Sequence, residues 1–398
     1  MATLAVSASI NSCDRPGGGV GVGASVRAAG VNARFDALDA LRGIAIAAMS
    51  LQHGAFFLRA SFQAETYGGQ PANLMSWPYW MSGLAVDLNA PTFFLLLGLS
   101  VPLMVDKYRR SGWSESAITS QMLKRAAVLA LLDLTLCDWA WRGADPPVQY
   151  THVLLSLAIA LALLSVVRRV PRPVLGVSTA AALAIYQYAL GHSVSAWSET
   201  PHFWTALLVG YRTSPWPALE FAVCGWFPLV CVGFLLGTLL ITPRFRRVGT
   251  WLSVGGVLLG SWFVLRALGG FGDLTHFESG QAWYRFMIMN KTPITLTYIL
   301  FYWGISSLLL AGLIRLESRV SRAPIAWLIE LGRASLFAFV AHIVILSVLS
   351  RGARAVAWPV PRIVVAYAIF AVGMLILIPA AWWYSRWRRS HPEWTLLP

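Results

Sequence analysis

The chain has 398 residues, 57% of them hydrophobic and 12% charged, and a mean hydropathy of +0.62. Soluble domains carry about 25% charged residues, and no soluble fold of this size can hide so much apolar surface, so a soluble enzyme, a disordered chain and a disulfide scaffold are all excluded. The formal net charge of +14 would suggest nucleic acid in a soluble protein, but here it asks which side of a bilayer holds the cations, and no nucleic-acid partner is expected.

Residues 1–33 mix Gly, Ser, Ala and Val around Asp14 and Arg15, with no basic start leading into an apolar stretch. They fail the signal-peptide pattern and read either as a disordered cytoplasmic tail or as the product of an over-early start codon. Apolar runs long enough to cross about 30 Å of hydrocarbon follow. They lie near 38–59, 80–105, 126–141, 150–167, 174–190, 217–241, 250–268, 294–314, 326–350 and 362–384. Residues 34–390 thus read as one all-α, polytopic transmembrane domain of ten helices, with 391–398 as a short cytoplasmic tail. An even number of spans puts both termini on one side.

Ionisable groups inside a bilayer are costly, so each needs a reason. In the first run Asp39, Arg42, Ile46, Met49 and His53 fall on one stripe: Arg42 and His53 are 11 positions apart, about 20° in projection and about 16 Å in rise. An acid and a base at the cytoplasmic rim, with an imidazole deep on the same face, read as an active-site track. Otherwise Asp39 and Arg42 only anchor the helix. In the second run Pro91 removes the hydrogen bond to the carbonyl of Asp87. A carboxylate, the Asn89 amide and a freed carbonyl then meet within the membrane, which is tolerated only beside protein or water.

Further along, Lys124-Arg125 lead the third run, while Asp133, Asp138 and Glu220 are buried acids for which Arg266 is a candidate partner. His152 lies near the outer end of the fourth run, where an interfacial position accounts for it. Arg333 and His342 in the ninth run are nine residues apart, on opposite faces of a straight helix. They share a site only if the chain breaks near Gly332. Cys13 lies in the polar tail and Cys137, Cys224 and Cys231 in apolar runs. No CxxC occurs, so neither a metal nor a redox centre is expected.

Loop cations fix the orientation. One set of loops carries 21 of the 31 Lys and Arg residues and the opposite set 8, which places both termini in the cytoplasm. The basic residues are nearly all Arg, which hints at a GC-rich bacterial genome and a bacterial cytoplasmic membrane. The longer external loops, near 60–79, 191–216 and 269–293, carry Trp77, Tyr79, Trp80, Trp197, Trp204 and Trp216. These suit an interfacial aromatic belt better than sugar stacking.

The stretch Leu38-Asp39-x-Leu-Arg42-Gly43-x-Ala-Ile, with the Arg42-x10-His53 spacing, resembles the opening of the transmembrane acyltransferase superfamily. Asp87-Leu-x-x-Pro91-x-Phe93 followed by Gly98-x-Ser100 resembles its heparan-α-glucosaminide N-acetyltransferase branch. Weaker echoes are Lys124-Arg125, Lys291-x-Pro293, and Gly332-Arg333-x-Ser335-Leu-Phe-x-Phe-x-x-His342. Two departures stand out. The glycan enzymes of that branch place their active His in the first external loop, and Ser61 to Trp80 here contains none. Ile294-Thr295 also stand where relatives often have Ser after Pro.

The resemblance implies a lipid-embedded enzyme that takes an acyl group, usually acetyl, from acyl-coenzyme A in the cytoplasm to a glycan, amino sugar or other small-molecule acceptor. His53 inherits the catalytic role by position, as general base or as acyl carrier, with Asp39 and Arg42 as its partners. Asp87, Asn89, Arg333, Lys291 and His342 are the substrate-binding candidates. Lys124 and Arg125, with Arg109 and Arg110 beside them, are candidates for the phosphates of acetyl-CoA. A homodimer is allowed but nothing in the residues requires one. A transporter or flippase using the charged stripe as a substrate or proton path is the alternative. The two paired motifs, which transport has no need to combine, favour the enzyme.

Overall fold

The computed structural model describes residues 35–60, 66–67, 76–142, 150–193, 203–210, 218–240, 242, 245, 247–275, 277, 280, 282–319 and 323–391. The tail expected over 1–33 lies outside them, as do Cys13, Trp197 and Trp216. The described chain is all-α, and each of the ten apolar runs is helical. Helix α1 spans Asp36–Phe57, α2 Trp77–Val86, α3 Asn89–Arg110 and α4 Glu115–Leu132. After a π-helical turn at Asp133–Cys137 come α5 (Asp138–Arg142), α6 (Val153–Val167), α7 (Arg172–Ser193) and α8 (Phe203–Leu208). They are followed by α9 (Val223–Leu240), α10 (Val248–Leu268), α11 (Leu296–Arg319), α12 (Ala326–Arg333), α13 (Ser335–Arg354) and α14 (Arg362–Ser390). Seven helices, counting α2 and α3 as one, are long and apolar enough to cross a membrane, making this a multi-pass membrane protein. The charged α1, α4 and the shorter α6 are not among the seven.

Three runs differ from their expected outline. The second breaks at Asp87 and Leu88, between α2 and α3. Pro91 then sits in the first turn of α3, where a missing N–H costs nothing. The third begins at Glu115, because Ser114 caps that helix by accepting the N–H of Ala117 at 3.2 Å. Lys124 and Arg125 are therefore mid-helix residues, not a helix start. The ninth breaks at Ala334, between α12 and α13.

The hub is α1, which packs against α3, α11, α12, α13 and α14. Its two first-turn acids, Asp36 and Asp39, suit the positive end of the helix dipole. Helices approach closest where side chains are missing, as is usual in membranes. A Cβ on Gly98 of α3 would lie 2.3 Å from the Val230 carbonyl oxygen of α9, and one on Gly237 2.6 Å from that of Leu99. Gly43 of α1 and Gly332 of α12 form a second such contact. Short parallel strands, β1 (Thr66–Tyr67), β2 (Tyr150–Thr151), β3 (Ala218–Leu219) and β4 (Asn290–Thr292), pair as β1 with β4 and β2 with β3.

Arg266 is fully buried, but none of the acids expected for it is its partner. It forms an ion pair with Asp273 and donates to the carbonyls of Phe286 (2.8 Å), Arg285 (2.9 Å) and Thr275. A guanidinium has five donors in a rigid fork, and four loop acceptors satisfy this one, so Arg266 organises the segment after α10. Asp133 instead accepts the backbone N–H of His152 at 2.9 Å. Trp77 and Trp204 are exposed, as an aromatic belt requires, but Trp80 is only 4% exposed and belongs to the core.

Candidate active site

Two polar clusters lie along α1, one at each end of the Arg42 to His53 stripe. At the first, Arg42 pairs with Asp39 at 2.6 Å and donates its other terminal nitrogen to Ser100 Oγ on α3. The motif around Arg42 and the motif ending at Ser100 are thereby joined by a hydrogen bond. Arg333 enters from α12 and pairs with Asp36 and Glu330, both at 2.8 Å, with Asp39 3.9 Å from its Nε. Asp36 and Asp39 are 3% and 2% exposed. Paired with arginines in this way, their charges are tolerable in an apolar setting.

The second cluster is built around the break after α2. Asp87 is fully buried, and its Oδ1 accepts from Gln52 Nε2 at 3.0 Å and faces Lys291 Nζ at 3.6 Å. A carboxylate oxygen can only accept, so Gln52 turns its NH2 toward Asp87 and its carbonyl toward Asn89, whose Nδ2 donates to it at 2.7 Å. The freed Asp87 carbonyl accepts from Tyr298 Oη at 3.0 Å. Tyr302 and Trp303, also on α11, serve the carbonyls of Leu84 and Pro91. The broken backbone is thus satisfied by α11, as an interruption at membrane depth requires. Asp87 Oδ2 remains buried with no hydrogen-bond partner among the described residues.

His53 follows Gln52 and is half-buried. Its Nδ1 lies 2.9 Å from Nε2 of His342 on α13, and the two rings are inclined by only 14°. The Trp141 ring meets His53 edge-on at 5.2 Å and stacks on His152 at 4.6 Å. His152, at the N-terminal end of α6, is 5% exposed, with its ring against Trp141 on the side away from solvent. The break at Ala334 lets α12 and α13 serve different ends of α1. Arg333 therefore joins the Arg42 cluster and His342 reaches His53, so these two residues do not share one cluster.

The family model of the heparan-alpha-glucosaminide N-acetyltransferase catalytic domain matches residues 34–265, more than half of the chain. The chain belongs to this family. It is accordingly an acetyltransferase-like membrane protein. No curated protein matches it significantly. The match takes in Asp39, Arg42, His53, Asp87, Asn89, Lys124 and Arg125, while Lys291, Arg333 and His342 lie beyond it. Those three reach the matched residues only through folding.

Within the family domain, the residues considered for a phosphorylated donor divide into two kinds. Arg109 pairs with Glu115 at 2.6 Å and Arg110 with Asp106 at 3.0 Å, both at exposed positions. Glu115 also holds Arg168 at 2.7 Å. The hydrogen bonds from Arg109 and then Arg168 hold the Glu115 carboxyl down at about 2. Lys124 is exposed. Arg125 lies against Tyr108, donating to its hydroxyl at 3.0 Å, and its Nε is buried with no hydrogen-bond partner among the described residues. Arg388 on α14 has a buried Nη1 in the same condition. Gln52 and Tyr298 were not among the candidates from sequence. A Gln beside the stripe histidine in an otherwise apolar helix was the signal for the first; nothing marked Tyr298 among so many aromatics.

Proposed function

We propose that this protein transfers an acetyl group from acetyl-coenzyme A, approaching from the cytoplasm, to an amine or hydroxyl of a glycan, amino sugar or related small acceptor. The protein spans a bacterial cytoplasmic membrane ten times, with both termini inside, and residues 34–390 act as one domain. Acyl transfer from a thioester needs a base for the acceptor proton and donors for the oxyanion. His53 is the base. Asp87 and Asn89, joined through Gln52, position the acceptor beside it, with Lys291 supplying positive charge. Arg42 and Asp39 hold α1 to α3 at the end from which the donor arrives, and Arg333 completes that cluster. The unsatisfied guanidinium nitrogens of Arg125 and Arg388 suit phosphate oxygens, which accept several hydrogen bonds at once; Lys124 adds charge at the rim.

The observation that carries this reading is the meeting of the two motifs. Arg42 bonds Ser100 at one end of the track, and Gln52 bonds Asp87 and Asn89 at the other. The test uses proteoliposomes given acetyl-CoA labelled in the acetyl group and glucosamine as acceptor. Free coenzyme A and labelled product are expected, and His53→Ala is expected to abolish both. Turnover in that variant equal to wild type removes His53 from the mechanism. Absence of any acetyl-CoA binding favours transport through the charged stripe instead.

A further inference from the structure

The geometry points to His342 as a positioning residue that fixes the tautomer of His53, leaving Nε2 as the nitrogen that handles the acceptor proton. This rests on the acetyltransferase reading and specifies the atom that acts in it. His342 Nδ1 lies 3.1 Å from the backbone oxygen of Ala338, one turn earlier in α13. A carbonyl has no proton to give, so Nδ1 carries the hydrogen and neutral His342 has its lone pair on Nε2. That lone pair faces His53 Nδ1 at 2.9 Å. His53 Nδ1 must therefore be the donor, and the lone pair of His53 is on Nε2.

Ring geometry supports the same assignment. The centroids are 5.1 Å apart with the planes inclined by 14°. That separation is close to the N···N distance plus two ring radii, so the rings lie nearly in one plane. An imidazole lone pair lies in the ring plane, where the hydrogen bond is strongest. His342 is 1% exposed and has Phe339 edge-on at 5.3 Å, so its ring is enclosed by protein. His53 is more open, and its Nε2 makes no hydrogen bond among the described residues. One nitrogen is committed to the protein and the other is left for substrate.

In the reaction, the proton of the acceptor N–H or O–H moves to His53 Nε2 as the acceptor's electron pair bonds to the thioester carbonyl carbon. The carbon–sulfur bond then breaks, sulfur takes the pair, and the proton passes from Nε2 to the thiolate. While His53 is an imidazolium, its Nδ1–H is directed at the His342 lone pair, which stabilises the cation without accepting its proton. His342 thus supplies the orientation that an acidic third residue supplies in other base-assisted acyl transfers.

The full-length protein in nanodiscs, labelled with 15N at histidine, tests this directly by NMR. The His53 signals are identified by their loss in His53→Asn. In the wild type, His53 is expected to show a pyrrole-type Nδ1 and a pyridine-type Nε2. The opposite assignment overturns the inference, and it does so whether or not acetyl transfer is detected. A failure to transfer acetyl to any acceptor, with the tautomer as assigned, instead counts against the acetyltransferase reading. With acetyl-CoA and glucosamine, His342→Phe is expected to lower kcat by about 100-fold or more with little change in KM. His342→Gln keeps an acceptor for Nδ1–H and is expected to recover most of that loss. Unchanged kcat in His342→Phe also overturns the inference.

Discussion

Replacing Gly332 with Ala tests whether the close approach of α1 and α12 holds the first cluster together. An added Cβ at Gly332 would lie 1.7 Å from the carbonyl oxygen of Asp39 and 2.6 Å from its carbon. Both are backbone atoms that cannot turn aside, and Gly43, four residues after Asp39 on α1, is also tight, with Leu328 O of α12 at 2.1 Å from its own hypothetical Cβ. Relief requires the helices to part by about 1.5 Å, and overpacking of this kind costs about 1–3 kcal/mol. The same displacement would carry Arg333 from 2.8 Å toward the limit of contact with Asp36, and losing a hydrogen bond to a charged group costs about 1.5–3 kcal/mol more. Gly332→Ala should therefore destabilise by roughly 2.5–6 kcal/mol, read as a lower melting temperature of the solubilised protein. Gly312→Ala in α11 is the control, because nothing lies within 4 Å of the added carbon and the change should be neutral or stabilise by about 1 kcal/mol. A Gly332→Ala protein that melts with the wild type would refute the argument.

Three other perturbations probe separate parts of the molecule. Arg266→Gln leaves the buried Asp273 carboxylate without its cation and should cost about 3–5 kcal/mol in chemical unfolding. Tyr298→Phe removes the hydroxyl that donates to the Asp87 carbonyl at 3.0 Å, and should cost about 1–3 kcal/mol; an unchanged melting temperature would show that another group takes its place. The carboxyl of Glu115 sits at about 2, against an ordinary 4.5. A depressed acid stabilises fully above its unfolded value and loses that contribution as pH falls through its folded one. The advantage of wild type over Glu115→Gln should thus be present at pH 6 and fade between about pH 4.5 and 2. With Glu115 45% exposed, solvent screening keeps it below about 1 kcal/mol, and added salt should shrink it further.

Helix content was legible because apolar runs of membrane length have few alternatives, and all ten became helical. The stripe from Arg42 to His53 was legible because helical projection survives burial, and the Asp87 interruption because Pro91 forces one. What sequence could not supply was the partner of each polar group across the bundle. Arg266 was matched to acids in neighbouring apolar runs, yet its partner Asp273 lies seven residues on, in a loop that folds back over it. Nor did the position of His152 in its run reveal that its ring stacks on Trp141. The ninth run showed the limit most clearly. Periodicity correctly put Arg333 and His342 on opposite faces of a straight helix, and the chain does break beside Gly332, at Ala334, but which end of α1 each half would serve is not contained in any periodicity.

The glycines between α3 and α9 have a mechanical consequence. With Leu95, Gly98 and Leu99 meeting Val230, Gly233 and Gly237 backbone to backbone, the two helices have no layer of side chains to shear. Sliding one along the other would drive a carbonyl into a main chain at every step. They therefore form a single strut, carrying Asn89 at one end and Ser100 further along it. Any opening that admits a bulky substrate must come from elements joined through side chains, such as α13 and α14, where Gly373 meets the Leu346 side chain.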